Sequence, residues 1–282
     1  MASFMNRAGL LQLGFTLGAH AGGRSQGAWF ATAGDGAPVV LKWSPDKTMA
    51  GRYASLLPGL DELRARGMPV PEYLHVGEFD GGTLSAQRRL PGRSEDTWSP
   101  AVVDRMVACV AAKAGIAGPP PAAGQTSWGT FIVRALTVGL DGWAMHEPLR
   151  AAGPRAAAVL DRAEAVGAGA DAAWFTDDGL VHRDLHTDNV LIDDGAVSGL
   201  IDWEEACAGD HRFDLVAFAF DLDGHGQSIW DLVDAAGFFP PVLRAYLAFL
   251  VLKCTAPAIL HNPDDVARQL DRAERVFDRY EV

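Results

Sequence analysis

The chain has 282 residues, which is above the usual size of a single hydrophobic core, so one large domain or two unequal lobes are the natural interpretations. Hydrophobic residues make up 49% of the sequence and charged residues 21%, a composition that excludes an intrinsically disordered chain. The 24 Lys and Arg against 36 Asp and Glu give a net charge of −12, which disfavours a nucleic-acid partner and favours a small cationic one.

The cysteines and the apolar stretches indicate a reducing, aqueous environment. Cys109, Cys207 and Cys254 are odd in number and widely spaced, which favours buried thiols over a disulfide framework or a zinc site. The N-terminus lacks the long apolar region of a secretory signal. The most apolar later stretch, residues 246–258, contains Lys253 and is too short to span a bilayer. We therefore expect a cytoplasmic protein that makes no membrane contact.

The first ninety residues read as β-strands with one helix. Residues 28–33 and 39–43 are β-formers on either side of a Gly/Asp/Pro turn, which predicts a hairpin. Residues 46–66 are helical in places, with a predicted break at Pro58. The other predicted segments are an irregular glycine-rich stretch at 18–27 and short strands near 73–78 and 83–88.

The rest of the chain is mainly helical. The Leu90-Pro91-Gly92-Arg93 break is a candidate hinge, which divides the chain into lobes of residues 1–90 and 91–282. Residues 102–117 and 154–166 have helical spacing of apolar side chains. Short strand-like runs at 180–182, 190–193 and 199–203 surround a polar loop.

That polar loop carries the residues most typical of chemistry. Asp184 and Asn189 lie five positions apart within it, and Asp202 follows a nearby apolar run. Hard oxygen ligands of this kind suit Mg²⁺, so Asn189 and Asp202 are candidate ligands. Asp184 would then be left to accept a proton from an attacking hydroxyl.

A lysine earlier in the chain adds a candidate phosphate-binding residue to this pattern. Lys42 stands in a predicted strand shortly after a glycine-rich segment that includes Gly23 and Ser25. A strand lysine can reach nucleotide phosphates, and the N–H groups of a glycine loop can close over them. Each feature alone has a plain structural explanation, since a strand lysine is often a solvated edge residue. Their joint occurrence in this order is far more specific.

Residues 182–191 and the Ile201-Asp202-Trp203 triplet resemble the catalytic and metal-binding motifs of the aminoglycoside phosphotransferase and choline-kinase family. The resemblance implies an α+β, protein-kinase-like bilobal fold, with a β-rich N-lobe holding one helix and a mainly helical C-lobe. The chain is short and has no APE-like element after Asp202, which favours a small-molecule kinase over a protein kinase. The matching positions also include residues 22–27, Lys42, the 67–71 turn, the 88–92 hinge, Asp210 and Asp214.

The resemblance also implies a role for each motif. Asp184 would be the catalytic base, and Asn189 and Asp202 would bind Mg²⁺. The nucleotide, ATP or GTP, would be held at its phosphates by Lys42 with Gly23 and Ser25. The backbone of the segment containing Gln87, Arg89 and Leu90 would meet the purine base.

Two positions depart from the family pattern. Arg183 stands where such enzymes more often carry glycine, and little effect on chemistry is expected. The phosphate-binding lysine of the family normally pairs with a glutamate on the N-lobe helix, and this chain has no glutamate early in that helix. Glu62 is the nearest candidate for the partner of Lys42.

The acceptor site is predicted from acidic and aromatic residues near the motifs. Trp203, Glu204 and Glu205 follow Asp202 directly, and Asp141 and Glu147 could form an opposite wall. Carboxylates pair with ammonium groups and Trp offers a cation–π face, so this lining suits a cationic acceptor. The alternative is that these acids are ordinary solvated surface.

The sequence therefore predicts an ATP-dependent O-phosphotransferase that acts on a hydroxyl of a small cationic antibiotic and confers resistance to it. The acceptor would be an aminoglycoside or a basic cyclic peptide of the capreomycin and viomycin type, and the enzyme a monomer or weak homodimer. One alternative is a metabolic kinase for choline, a sugar or an amino alcohol. Another is a kinase-like module that binds nucleotide without catalysis.

Overall fold

The structure is a computed structural model that describes residues 6–22, 28–122, 124, 127–140 and 145–282. It divides the chain into two compact units. Unit 1 comprises Met1–Glu95 and Asp188–Glu204, and unit 2 comprises Asp96–Thr187 and Glu205–Val282. The predicted lobes were continuous, whereas here the segment that follows the catalytic loop returns to the N-terminal unit.

Regular structure begins, in chain order, with α1 (Arg7–Gln12), β1 (Phe15–Gly22), β2 (Ala28–Ala33), β3 (Pro38–Ser44), α2 (Met49–Ala65), β4 (Tyr73–Phe79) and β5 (Gly82–Arg88). It continues with α3 (Pro100–Ala111), α4 (Trp128–Thr137), α5 (His146–Ala151), α6 (Pro154–Gly169), β6 (Gly179–Val181), β7 (Val190–Asp193), β8 (Ala196–Leu200), β9 (Cys207–Gly209), α7 (Phe213–Gly224), α8 (Trp230–Ala235), α9 (Pro240–His261) and α10 (Val266–Tyr280). The α+β prediction is confirmed.

Unit 1 is built on a five-stranded antiparallel sheet in the order β1-β2-β3-β5-β4. The predicted β2–β3 hairpin is confirmed, with Ala31 opposite Val39. The expectation of irregular structure over residues 18–27 is wrong for 18–22, because β1 extends to Gly22 by pairing with β2, and residues 23–27 lie outside the described residues. Fully buried Val39, Leu41 and Leu84 form the centre of the apolar cluster on this sheet.

The helices of unit 1 correct two details of the sequence prediction. The short α1, capped by the side chain of Asn6, precedes the sheet, so the described part of this unit has more than one helix. The predicted break at Pro58 is also wrong, because α2 runs through it. Proline removes one backbone hydrogen bond, and burial of Leu56, Leu60 and Leu63 in the same helix offsets that loss.

The hairpin formed by β7 and β8 belongs to unit 1 because its backbone bonds to the rest of that unit. Arg93 and Ile192 exchange two hydrogen bonds of 3.0 and 2.8 Å, and the N–H of Leu200 donates to the carbonyl of Pro69 at 2.7 Å. Asp194 and Gly195 form its turn with φ of 48° and 76°, the left-handed conformation that tight hairpins prefer. The hairpin fixes both residues next to its open end, Asn189 and Ile201.

Unit 2 is mainly helical, with β6 and β9 paired antiparallel beside the helices. The centre of its core is α9, which contacts α4, α5, α6, α7 and α10. An aromatic cluster of Trp128, Phe213, Tyr246 and Phe249 packs around it, and the phenol of Tyr246 donates to the buried carboxylate of Asp210 at 3.0 Å. Aromatic packing of this kind contributes more than its buried area alone.

Helix α9 also corrects the argument that its apolar stretch is too short for a bilayer. It has 22 residues, with a mean hydropathy of 1.6 over its most apolar window, so its length and composition would allow a span. However, 78% of that window is buried inside the protein. Burial, not length, therefore gives this helix the character of a core element.

The pairing of β3 with β5 can be tested by substituting a glycine that lies close to the neighbouring strand. A Cβ atom at Gly82 would overlap the backbone oxygen of Ser44, whereas one at Gly51 in α2 would meet no atom within 4 Å. We expect Gly82→Ala to lower the free energy of unfolding by about 1–3 kcal/mol through overpacking. The matched Gly51→Ala should raise it by about 0.5–1 kcal/mol. Urea unfolding measures both, and equal effects of the two changes would contradict the β3–β5 register.

Candidate active site

The side chain of Lys42 in β3 is the centre of the charged group in unit 1. Its Nζ lies 2.9 Å from Oδ1 of Asp202 and 3.1 Å from Oε1 of Glu204, and the lysine side chain is 16% exposed. Burial lowers the pKa of Lys42, but the charges of Glu204 and Asp202 more than offset this and raise it overall. Lys42 is therefore a firmly held ammonium at neutral pH.

Glu204 is fixed from two directions besides Lys42. The phenol of Tyr53 donates to its Oε1 at 3.2 Å, and Nε of Arg52 donates to its backbone oxygen at 2.9 Å. Burial raises the pKa of Glu204, Lys42 lowers it and Asp202 raises it, with a net upward shift. Through Tyr53 and Arg52, helix α2 thus controls the position of the carboxylate that contacts Lys42.

The prediction that Glu62 pairs with Lys42 is wrong. Glu62 is 51% exposed and forms an i,i+4 ion pair of 2.5 Å with Arg66 on the surface of α2. The carboxylates that face Lys42 are those of Asp202 and Glu204 instead. Glu204 had been predicted to line the acceptor site, and its bonds to Lys42 and Tyr53 correct that prediction as well.

The open end of the β7–β8 hairpin brings the predicted metal ligands together. Val190 pairs with Leu200, and the N–H of Ile201 donates to the carbonyl of Asn189 at 3.0 Å, so Asn189 and Asp202 lie at the same end of the two strands. Asn189 is 6% exposed, whereas the Asp202 side chain is 37% exposed. Three of the four principal residues of the sequence pattern, Lys42, Asn189 and Asp202, therefore belong to one unit.

This donor set fits a magnesium ion. An amide oxygen and a carboxylate are hard oxygen ligands, and Mg²⁺ is usually held by one or two carboxylates with water and phosphate in its remaining positions. Lys42 carries one positive charge against the two negative charges of Asp202 and Glu204, so one negative charge remains unbalanced within this group. The group thus combines oxygen donors for a cation with an ammonium that attracts an anion such as a phosphate.

The segment predicted to meet a purine base also has suitable free groups. Gln87 in β5 is 5% exposed, and its Oε1 has no hydrogen-bond partner within the described residues. The N–H of Arg89 donates to Pro38, and its guanidinium lies 4.0 Å from the centre of the Phe30 ring. The N–H of Leu90 forms no hydrogen bond to the part of the chain that the structure describes. A buried acceptor and a free donor of this kind fit an adenine edge.

In unit 2, the catalytic loop follows β6 and is anchored by a buried carboxylate. The N–H groups of His182 and Arg183 donate to the two oxygens of Asp214 at 2.7 and 3.0 Å. Asp214 is fully buried and also pairs with Lys113. The fully buried ring of His182 accepts from the N–H of Asp184 at 3.3 Å through Nδ1. These bonds fix the backbone on both sides of Arg183.

Arg183 shows why glycine would suit its position. Its φ is 70°, in the left-handed region that costs non-glycine residues about 1–2 kcal/mol. Its side chain compensates with a hydrogen bond of 2.7 Å to the carbonyl of Pro121 and an ion pair of 3.2 Å with Glu205. The departure from the family pattern is thus accommodated by contacts that glycine could not make.

Asp184 is held by a lysine that the sequence did not single out for this role. Nζ of Lys253 lies 2.8 Å from Oδ1 of Asp184, and Nε2 of His186 lies 3.6 Å from Oδ2. Burial raises the pKa of Asp184, but Lys253 and His186 lower it by more than burial raises it. The pKa of Asp184 therefore lies well below its ordinary value. The carboxylate is therefore ionised over the whole neutral range, with its side chain 26% exposed.

Two further acceptor-site predictions are corrected. Trp203 is fully buried and its Nε1 donates to the carbonyl of Leu200 at 2.8 Å, so it cannot offer a ring face to a substrate. Glu205 is half-buried, and its carboxylate is engaged by Arg183 at 3.2 Å and Lys253 at 3.4 Å. Its charge is already matched inside unit 2 and does not form an acidic lining.

The remaining predicted residues are Glu147, Gly23, Ser25 and Asp141. Glu147 is exposed in the first turn of α5. Gly23, Ser25 and Asp141 lie outside the residues that the structure describes.

Sequence reasoning missed Lys253, Tyr53 and Arg52. In the sequence Lys253 is a charge within an apolar stretch, and a lone cation there is a signal for a buried partner. Tyr53 and Arg52 gave no comparable signal. They matter only because α2 turns them towards Glu204.

Comparison with known proteins decides the family. The sequence pattern of the phosphotransferase enzyme family matches residues 16–254, most of the chain. The chain belongs to this family. The resemblance drawn from the catalytic loop and the Asp202 motif is thereby confirmed.

Among curated proteins, this chain is similar to the hygromycin-B 4-O-kinase of Escherichia coli. The two are 29% identical over 174 residues, which is 54% of this chain and 48% of that protein. The chain is also similar to the homoserine kinase of Methylobacterium radiotolerans, with 35% identity over 97 residues, or 32% of this chain and 30% of that protein. The matched region thus spans about half or less of these relatives' length.

Among solved structures, the fold resembles that of aminoglycoside phosphotransferase APH(4)-Ia, determined as a thermostable mutant with ADP and hygromycin B. The TM-score is 0.70 at 23% identity, with 96% of this chain and 97% of that chain covered. The macrolide 2'-phosphotransferase MphH of Brachybacterium faecium has a TM-score of 0.56 at 19% identity, with 95% of each chain covered. The predicted kinase-like fold is confirmed.

The two glutamates considered as partners of Lys42 provide a matched pair of variants. We expect Glu204→Gln to weaken binding of a non-hydrolysable ATP analogue roughly tenfold, because Lys42 loses one of its two charged contacts. Glu62→Gln changes only an exposed pair and should bind like the parent. Calorimetric titration measures both affinities, and a loss in Glu62→Gln alone would restore the original assignment.

Proposed function

We propose that this member of the phosphotransferase family is an ATP-dependent kinase that phosphorylates a hydroxyl of a small cationic antibiotic and so confers resistance. The observation that carries the proposal is the contact of Lys42 with Asp202, at the hairpin end that also holds Asn189. This grouping of one ammonium with two oxygen donors is the one that a magnesium–nucleotide complex requires.

The proposed chemistry assigns a separate task to each side chain. The acceptor oxygen forms a bond to the γ-phosphorus of ATP while the bond between that phosphorus and the β,γ-bridging oxygen breaks, and ADP leaves. Asp184 accepts the hydrogen bond of the acceptor hydroxyl and directs its oxygen, and the released proton passes through this carboxylate to water. Lys42 binds the nucleotide phosphates.

Mg²⁺, held by Asn189 and Asp202, would supply charge neutralisation at the phosphate oxygens. The protein's own contribution is mostly positioning, since the transition state of phosphoryl transfer is loose and needs little covalent help. Oε1 of Gln87 and the N–H of Leu90, which have no hydrogen-bond partner among the described residues, would bind the base, and the nucleotide is ATP or GTP.

An aminoglycoside is the proposed acceptor, with a basic cyclic peptide as the other antibiotic class. The similarity to a hygromycin-B kinase and the net charge of −12 both support a cationic acceptor. With Trp203, Glu204 and Glu205 engaged inside their own units, the acidic contacts would come from exposed positions such as Glu147 and from Asp141. We further propose that the enzyme acts in the cytoplasm, as a monomer or weak homodimer, without membrane or nucleic-acid partners.

An amino alcohol is the second candidate acceptor. Partial similarity to homoserine kinases favours it over choline or a sugar, with 35% identity over 97 residues in one of them and 54% over 37 residues in that of Neisseria meningitidis. These matches cover 30% and 12% of the relatives, so they support this acceptor less than the antibiotic.

An acceptor panel separates the candidates. ADP release by the purified protein with ATP and Mg²⁺ is measured with hygromycin B, other aminoglycosides, a capreomycin-type peptide, homoserine and choline. We expect turnover with an aminoglycoside, and mass spectrometry should find one added phosphoryl group on it. Turnover with homoserine alone would favour the metabolic kinase. Nucleotide binding without turnover of any acceptor would favour a non-catalytic module.

Asp184 is tested against its neighbour in the same loop. We expect Asp184→Asn to lower kcat by roughly 10²–10⁴-fold, because the amide cannot accept the hydroxyl proton. Affinity for the ATP analogue should be unchanged. Asp188→Asn makes the same chemical change at an exposed position and should retain activity. If Asp184→Asn lost nucleotide affinity and turnover in equal measure, its role in accepting the hydroxyl would be contradicted.

A further inference from the structure

A lysine from the distant helix α9 ends inside the catalytic loop of unit 2. Nζ of Lys253 donates to the carbonyl of Arg183 at 2.7 Å and to Oδ1 of Asp184 at 2.8 Å, and it lies 3.4 Å from Oε2 of Glu205. An ammonium has three N–H donors, and these three oxygens lie within hydrogen-bonding distance of it. Several charge-assisted hydrogen bonds of this kind fix the lysine and the loop atoms bonded to it.

The burial of Lys253 makes these contacts obligatory. Its side chain is only 9% exposed, in the middle of an otherwise apolar helix. A buried ammonium is costly unless it is paired and hydrogen-bonded, and apolar residues would fill the same position at lower cost. The contacts of Lys253 with the catalytic loop, not the packing of α9, therefore account for a charge at this buried position.

The geometry of the carboxylate shows what this charge does. Lys253 binds Oδ1 of Asp184 at 2.8 Å, whereas Nε2 of His186 lies 3.6 Å from Oδ2. The peptide on the N-terminal side of Asp184 is fixed as well, since Lys253 binds the carbonyl of Arg183 and the His182 ring accepts the N–H of Asp184. One carboxylate oxygen is thus tied to Lys253, and the other faces His186.

We infer that Lys253 is a positioning residue of the phosphotransfer reaction: it anchors Oδ1 of Asp184 and so fixes the orientation of the carboxylate towards the acceptor hydroxyl, and its positive charge favours the ionised carboxylate. This inference rests on the proposed role of Asp184. It also implies that Asp184 is a weak base, because Lys253 lowers its pKa. Asp184 would then orient the hydroxyl by hydrogen bonding and take the proton only as the new P–O bond forms.

The test is the acid limb of the pH dependence of kcat/KM. Removing the positive charge of Lys253 takes away an interaction that favours the ionised carboxylate, so the pKa of Asp184 rises and its protonated form appears at higher pH. We expect Lys253→Met to move the acid limb to higher pH and to lower kcat/KM roughly ten- to a hundred-fold at neutral pH, as for the loss of one charge-assisted hydrogen bond. Lys253→Arg, which keeps the charge, should hold the limb near its parental position.

Other groups near Asp184 must be separated from this effect. The titratable and charged residues described around it in unit 2 include His182, Arg183, His186, Glu205 and Cys254, with Asp214 bonded to the loop backbone and Asp221 near Cys254. His186 faces the same carboxylate, so His186→Gln is measured beside Lys253→Met. Lys47→Met, the same change at an exposed lysine, is the matched control and should leave both the limb and the rate unchanged.

A second measurement does not depend on activity. In protein labelled with ¹³C at aspartate carboxyl carbons, the Asp184 resonance is identified by its loss in Asp184→Asn, and its titration is followed in each Lys253 variant. If Lys253→Met fails to fold, the double change Lys253→Met with Glu205→Gln removes one charge of each sign and is compared with Glu205→Gln alone. Circular dichroism confirms that each variant tested is folded.

The outcomes distinguish this inference from the proposed function. A titration of Asp184 that moves to higher pH without Lys253 supports the inference even if no antibiotic is phosphorylated. A titration and an acid limb that both stay at their parental positions overturn it, even if an aminoglycoside is turned over. An equal loss of rate at every pH, with no shift, would mean that Lys253 only supports the fold.

Discussion

The ammonium of Lys42 between the carboxylates of Asp202 and Glu204 is the interaction on which the organisation of unit 1 depends. A largely buried cation needs acidic partners, and here they come from a segment 160 residues later in the sequence. The β7–β8 hairpin delivers those partners, and α2 adds Tyr53 as a brace on Glu204. One positive and two negative charges leave a residual attraction for a further cation, which is what a metal-binding end requires.

The motif residues could be predicted from the sequence because their order and chemistry are specific. The directions in which the neighbouring side chains point could not. Trp203 stands between two residues that contact Lys42 and yet is fully buried, since the turn after Asp202 rotates successive side chains to different sides. Glu62 failed for a related reason, because its place on α2 directs it to Arg66. Lys253 lies 69 positions from Asp184, and only the folding of α9 into the core of unit 2 reveals their contact.

Backbone strain is found at the functional residues of both units. Arg183 and Asp202 have φ of 70° and 68°, although neither is glycine. Each costs about 1–2 kcal/mol, and such conformations persist where the surroundings hold them firmly. At Arg183 the two N–H bonds to Asp214 and the side-chain bond to Pro121 do so, and at Asp202 the ion pair with Lys42 does. The strain turns each side chain in a direction that a relaxed loop would not hold.

The charge balance of unit 2 also bears on how the proposed cationic acceptor would be selected. Lys253 and Arg183 neutralise Asp184 and Glu205, so the loop offers little net attraction to an ammonium group. An amine brought to Asp184 would be repelled by Lys253, whereas a neutral hydroxyl can still donate to the carboxylate. The amino groups of an acceptor would therefore be drawn to carboxylates elsewhere on the protein, such as the exposed Glu147. Phosphorylation at oxygen in an amine-rich substrate would then follow from the same lysine that orients the carboxylate.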